Sequence, residues 1–100
     1  MIEKQDELRE TASLLAAKGK GLLAVDESTP TIGKRLAGIN VENTEANRQA
    51  YRGMLFNAQG LGNYISGAIL FEETLYQDHL AGGTMLAKLD ELGIIPGIKV

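Results

Sequence analysis

Asp26 and Lys99 are the residues whose placement invites a chemical reading. Asp26 breaks off the apolar run Leu22-Leu23-Ala24-Val25, and Lys99 follows Ile94-Ile95-Pro96-Gly97-Ile98. A carboxylate and an amine projecting from the ends of two strands into one mouth favour each other's charged form and can exchange protons with a substrate. Each also has a plain reading, Asp26 as a capping or solvated turn residue and Lys99 as an exposed lysine at an edge or terminus. Ser28, Thr29 and Thr31 flank Pro30, with Lys34 and Arg35 one turn further on. A helix start offers unpaired N–H groups and the positive end of the dipole, so hydroxyls and cations beside it suit a phosphate. Ordinary capping with a solvated basic face competes with that reading. Glu72-Glu73 follow another apolar run, Ile65 to Phe71. We read them as surface carboxylates or as groups that orient lysines, ahead of a metal or acid/base pair.

Composition removes other chemistries. The sequence has no cysteine, so disulfides, thiolate nucleophiles and sulfur-ligated metals are excluded. Its single histidine, His79, lies in the polar stretch Tyr76–Gly82 and reads as a solvated loop residue. A net charge of −3 gives no electrostatic footprint for nucleic acid or an anionic membrane, so any anion must be held by local geometry. Neither a Walker loop nor a GxGxxG fingerprint occurs, and a nucleotide site has no support. Met1–Glu10 is a charged helical start without an apolar centre. It reads as neither signal nor transit peptide, and no run approaches bilayer length, so a soluble protein is expected.

These groups need elements to hold them. Leu8, Ala12, Leu15 and Ala16 recur at helical spacing and predict an amphipathic helix from Glu3 to Lys18, ended by Gly19-Lys20-Gly21. Leu22–Val25 reads as a strand of a parallel sheet, covered on both faces. Thr29-Pro30 starts a short helix to about Ala37, with Thr29 as cap. Asn43 or Thr44 caps the next helix, whose apolar stripe is Ala50, Tyr51, Met54, Leu55 and Ala58, stopped at Gln59-Gly60-Leu61-Gly62. Ile65–Phe71 is the second strand; its small Ser66, Gly67 and Ala68 allow close packing or leave room for a ligand. After a polar Gln77–Gly83 loop, Met85, Leu86, Leu89 and Leu92 define a helix closed by Gly93, and a third strand runs from Ile94 to Val100. Alternating strands and helices imply parallel β-α-β units with right-handed crossovers. No linker divides residues 1–100 into domains.

The chemistry-bearing residues sit inside longer stretches that resemble class I fructose-bisphosphate aldolases. Gly19-Lys20-Gly21-Leu22-Leu23-Ala24-Val25-Asp26-Glu27-Ser28-Thr29 with Gly33-Lys34-Arg35-Leu36 is similar to the first strand and turn of that family. Val41-Glu42-Asn43-Thr44-Glu45-Ala46-Asn47-Arg48-Gln49-Ala50-Tyr51-Arg52, Tyr64 to Gln77, and Pro96-Gly97-Ile98-Lys99-Val100 follow in the family's order, and the wording is closest to the plastid and bacterial branch. The resemblance implies an α/β fold: the first three strands of a TIM (β/α)8 barrel behind an N-terminal helix, with residues 1–100 the incomplete N-terminal part of one domain. It implies reversible, metal-independent Schiff-base cleavage of fructose 1,6-bisphosphate to dihydroxyacetone phosphate and glyceraldehyde 3-phosphate, with no cofactor.

By the same resemblance Asp26 is the aspartate assisting proton transfer at the substrate hydroxyls. Lys99 is the lysine that contacts substrate and keeps that aspartate charged. Ser28 and Thr31 fall at hydroxyl positions near one phosphate, Arg35 with Lys34 at the basic element there, and Arg48 is a further substrate-binding position. Thr31 stands where many relatives have serine, and Pro30 where many have glycine, which stiffens the phosphate turn. A barrel of this type needs about 250 residues, so the Schiff-base lysine is expected beyond Val100 and the chain alone is expected to be inactive. The implied partners are a sugar bisphosphate and further copies in a homotetramer, with no nucleic acid and no membrane, in the cytoplasm or plastid stroma. The alternative is a short non-catalytic phosphate-binding or interaction module derived from the barrel.

Overall fold

A computed structural model of the chain describes residues 3–100. Met1 and Ile2, at the start of the charged N-terminal stretch read above, lie outside the described residues. Helix α1 (Gln5–Leu15) leads into strand β1 (Gly21–Val25), followed by helices α2 (Thr29–Ala37), α3 (Glu45–Phe56) and α4 (Leu61–Tyr64). Strand β2 (Ile65–Leu70), a 3₁₀ helix (Glu72–Tyr76), helix α5 (Met85–Glu91) and strand β3 (Ile95–Ile98) complete the order. The strands form one parallel sheet in the order β1-β2-β3, as the alternating pattern requires.

Register decides which side chains share a face. Leu22, Gly67 and Ile95 lie in line, as do Ala24, Ile69 and Gly97, and Val25, Leu70 and Ile98. One face, carrying Val25, Ala68 and Leu70, packs against Phe56 of α3 and Met85 and Leu89 of α5, with Ile94 completing the core. The opposite face is bare: Leu22 is 56% exposed, Ala24 is exposed, and an apolar hollow opens over Leu15, Leu22, Gly67, Ile69 and Ile95. The expectation of strands covered on both faces therefore holds for one face only among the described residues.

Several elements depart from their expected bounds. Helix α1 is shorter than Glu3–Lys18 because Lys4 and Ala16 flank it without side-chain caps and the chain turns left-handed at Gly19 (φ 81°). None of its residues is buried. Its C-terminal end alone is pinned, by a 2.6 Å hydrogen bond from Ser66 Oγ to the Leu15 carbonyl. A Cβ on Gly67 would lie 2.5 Å from Leu15 Cδ2, so the small residues of β2 serve close packing. Ser28, not Thr29, is the residue before α2, and its hydroxyl donates to Thr31 Oγ1 (3.1 Å) rather than capping the helix. Thr44 caps α3 as expected, accepting from the Asn47 N–H at 3.1 Å. That helix stops at Phe56, and Gly60 (φ 75°) opens the unexpected single turn α4.

The buried side of α3 is Arg52, Gly53 and Phe56; of the stripe expected from hydropathy, Leu55 packs against the core. Ala50, Tyr51 and Met54 instead line a surface groove with Leu36, Ile39 and Val41. His79 is also a correction, since it is 4% exposed rather than solvated. Its Nε2 bonds the Gly53 carbonyl (3.0 Å) and its Nδ1 accepts from the Ala81 N–H (3.0 Å).

A parallel sheet with one bare apolar face and two open edges lacks the cover such sheets need. Expressed alone, the 100-residue chain is expected to be partly folded or to associate. Thermal circular dichroism with sedimentation checks this; a sharp cooperative melt of a monomer would contradict it.

Candidate functional site

The carboxyl ends of the three strands meet at one edge of the molecule. Alternation along β1 carries Leu22, Ala24 and Asp26 onto the bare face. It carries Ile69 and Phe71 there from β2, and Gly97 and Lys99 from β3. The Lys99 N–H extends the ladder beyond β3 by donating to the Leu70 carbonyl (3.0 Å), which fixes the direction of its side chain. Lys99 Nζ then lies 3.9 Å from Asp26 Oδ2 and donates to the Asp26 carbonyl at 3.2 Å. Both residues remain partly open to solvent, Lys99 at 45% and Asp26 at 29%, so the pair is accessible to a ligand and contributes little to stability.

Behind this pair lies a charge cluster of which the sequence reading caught only part. Arg48 and Arg52 sit four residues apart on α3 and converge on Glu73 in the 3₁₀ helix. Arg48 grips the carboxylate bidentately, Nε to Oε1 and Nη2 to Oε2, both 2.9 Å, while its Nη1 reaches Asn43 Oδ1 at 2.8 Å. Arg52 has no exposed surface; its Nη1 meets Glu73 Oε1 at 3.2 Å and its Nη2 donates to the Glu27 carbonyl at 2.6 Å. Glu73 therefore orients arginines, not lysines, and Glu72 is exposed. Phe71 stands within cation–π range of Arg52 (5.8 Å) and Lys99 (6.0 Å).

The protonation states follow. The hydrogen bonds from Arg48 hold the Glu73 carboxyl below its ordinary range, against burial, which pushes the other way. The same bonds raise Arg48. Burial lowers Arg52, opposed by the charges of Glu73 and Glu27, yet a guanidinium starts so high that it stays cationic.

At the start of α2, Ser28 and Thr31 are hydrogen-bonded to each other. Arg35 Nη1 lies 2.6 Å from Glu27 Oε2, and Lys34 is exposed on the same helix. Residues 28, 31 and 35 occupy one side of α2's first two turns, next to Asp26. Arg48 differs, because its donors are committed to Glu73 and Asn43. No group of three or more potential metal-ligating side chains occurs among the described residues.

A family model described as fructose-bisphosphate aldolase class-I matches residues 7–100. The chain belongs to the class I fructose-bisphosphate aldolase family. It is 63% identical over 95 residues to the chloroplastic aldolase of Spinacia oleracea and 60% identical over 96 residues to the cytosolic aldolase 7 of Arabidopsis thaliana. It covers 95% and 96% of itself in those matches but 24% and 27% of the relatives' lengths, so the chain spans about a quarter of the aldolases it matches. Relatives from plastid and cytosol are thus nearly equally similar, and no helix among the described residues is long and apolar enough to cross a membrane. The co-crystal structure of aldolase from Plasmodium falciparum in complex with TRAP and a small-molecule inhibitor superposes with a TM-score of 0.91 at 57% identity. That match covers 95% of this chain and 27% of the other. The three parallel strands and their helices are accordingly a portion of the aldolase TIM barrel, and the bare sheet face is the side that barrels of this type fill with inward side chains.

Arg52 and Glu27 were not singled out by sequence. The available signal was the Arg48/Arg52 spacing on one helix together with the acidic pair after β2. Because Glu73 titrates lower in the folded state than in the unfolded one, its contribution is complete above the ordinary glutamate value of 4.5. It is lost as pH falls through the depressed folded value. In a full-length aldolase carrying this segment, Glu73→Gln is expected to lower the Tm at neutral pH. It should also flatten the Tm decline between about pH 5 and pH 3. Parallel Tm curves for wild type and variant across that range would contradict the assignment.

Proposed function

We propose that this chain is the N-terminal part of a single-domain (β/α)8 aldolase that reversibly cleaves fructose 1,6-bisphosphate to dihydroxyacetone phosphate and glyceraldehyde 3-phosphate. The observation that carries the reading is the convergence of Asp26 and Lys99. They are 73 residues apart in sequence and 3.9 Å apart in space, at the strand ends where α/β barrels bind their ligands.

In this reading the bisphosphate enters the mouth above β1 and β3. The Lys99 ammonium donates to a substrate oxygen, and Asp26 takes or returns the proton of a substrate hydroxyl as the carbon–carbon bond breaks or forms. Carbon–carbon cleavage beside a carbonyl needs an electron sink. A lysine elsewhere in the complete protein supplies it as an iminium, so no metal or cofactor is called for. One phosphate lies over the start of α2, held by the Ser28 and Thr31 hydroxyls and by Arg35, with Lys34 adding charge. Binding there requires Arg35 to exchange its Glu27 partner for the phosphate, or to hold both. Arg48 supports the site through Glu73. The complete protein is proposed to be a homotetramer in the cytoplasm or plastid stroma, acting in glycolysis and gluconeogenesis, while the 100-residue chain alone is inactive. The short-module alternative has no observation in its favour, and the uncovered sheet face weighs against it.

Two measurements test this. The reading frame is expected to continue past the Val100 codon through further barrel strands; a stop codon there would overturn the assignment. In the complete protein, Asp26→Asn and Lys99→Met are each expected to lower kcat about 100-fold or more, and Arg35→Ala to raise KM about tenfold. Borohydride should trap substrate on the complete protein and not on the 100-residue chain. Wild-type kcat in the Asp26 and Lys99 variants would exclude them from the chemistry.

A further inference from the structure

β1 ends its ladder at Val25, paired with Leu70, so the next two carbonyls, of Asp26 and Glu27, have no sheet partner to fix them. Each is taken by a cation: Asp26 O by Lys99 Nζ at 3.2 Å, and Glu27 O by Arg52 Nη2 at 2.6 Å. The second cation is the fully buried one. Its other arm is anchored on Glu73, just beyond the end of β2, and Glu73 is itself clamped by Arg48. A single guanidinium thus spans the ends of β1 and β2 from behind, while Lys99 spans β1 and β3 from the ligand side. The Glu27 carboxylate is held as well, by Arg35 at 2.6 Å, so the residue next to Asp26 is gripped at both backbone and side chain.

We propose that Arg52 is a positioning residue of the Asp26–Lys99 pair, fixing the Asp26 turn through the Glu27 carbonyl and Glu73 without touching substrate. This rests on the aldolase reading of the site. The geometry calls for arginine in particular, because two divergent donors in one rigid plane must reach a carbonyl and a carboxylate at once, and the point charge of a lysine reaches only one. Releasing the Glu27 carbonyl frees the turn, and a displacement of about 1 Å at a reacting group costs on the order of 100-fold in rate.

The test uses the complete protein with Arg52→Lys and Arg52→Met, each alone and combined with Asp26→Asn. Expected are a kcat about tenfold lower for Arg52→Lys and about 100-fold lower for Arg52→Met, with KM within about threefold and cooperative melts retained. In the Asp26→Asn background either change should lower kcat by less than about threefold further, since a group acting through Asp26 has nothing left to position. Should Arg52→Met not fold, Arg52→Lys and its double variant carry the comparison. Wild-type kcat in Arg52→Lys, or full additivity with Asp26→Asn, would overturn the proposal and leave Arg52 a packing residue. If the wild-type protein does not cleave fructose 1,6-bisphosphate, the aldolase reading falls, and the crystal structure of Arg52→Lys decides the positioning claim separately. A Lys99 Nζ–Asp26 Oδ2 separation moved from 3.9 Å supports it, and an unmoved turn overturns it.

Discussion

A guanidinium with no exposed surface must have its charge and donors met inside the protein, because an uncompensated buried charge costs several kcal/mol. Arg52 meets most of that demand by binding to parts of the chain distant in sequence: its Nη1 reaches Glu73 behind β2 and its Nη2 the Glu27 carbonyl behind β1, while its buried Nε has no side-chain or backbone acceptor. The consequence is geometric. Helix α3 cannot rotate about its axis or slide along the sheet without breaking those bonds, and the two strand ends cannot separate. Arg48 adds the bidentate grip that keeps Glu73 ionised and oriented. The carboxyl ends of β1 and β2 are therefore braced by side chains beyond the end of their ladder.

The two faces of the sheet divide the work. The face against α3 and α5 holds the core of Val25, Phe56, Leu70, Met85 and Leu89. The other has little to cover it among the described residues apart from the end of α1 over Gly67, and it is this face that carries Asp26, Phe71 and Lys99 at its rim. One alternation rule thus places apolar side chains toward a barrel interior and, two residues later, polar ones at its mouth. The chain spans about a quarter of the length of the aldolases it matches.

Strand positions and their chemistry were legible because each apolar run stops abruptly at a polar residue, as Val25 does at Asp26. The Thr44 cap was readable for the same local reason, whereas Thr84, which caps α5 by accepting from the Ala87 N–H at 3.0 Å, was not singled out. The buried side of α3 was not, because it is built of Arg52 and Gly53, which a search for apolar periodicity passes over; that search found the groove-facing side of Tyr51 and Met54 instead. His79 was misread on composition, since a polar loop gave no sign that it folds back over Gly53. The Glu27 contacts were invisible for a different reason. They join residues 25 positions apart through a backbone carbonyl, which carries no sequence signature.

The central claim is that Asp26, Lys99 and the start of α2 form one sugar-bisphosphate site. A crystal structure of the complete protein bound to fructose 1,6-bisphosphate tests it most directly. The account predicts substrate oxygens within hydrogen-bond reach of Asp26 and Lys99, with a phosphate over Ser28, Thr31 and Arg35. Substrate bound away from the carboxyl ends of β1 and β3, with the Asp26–Lys99 pair untouched, would contradict it.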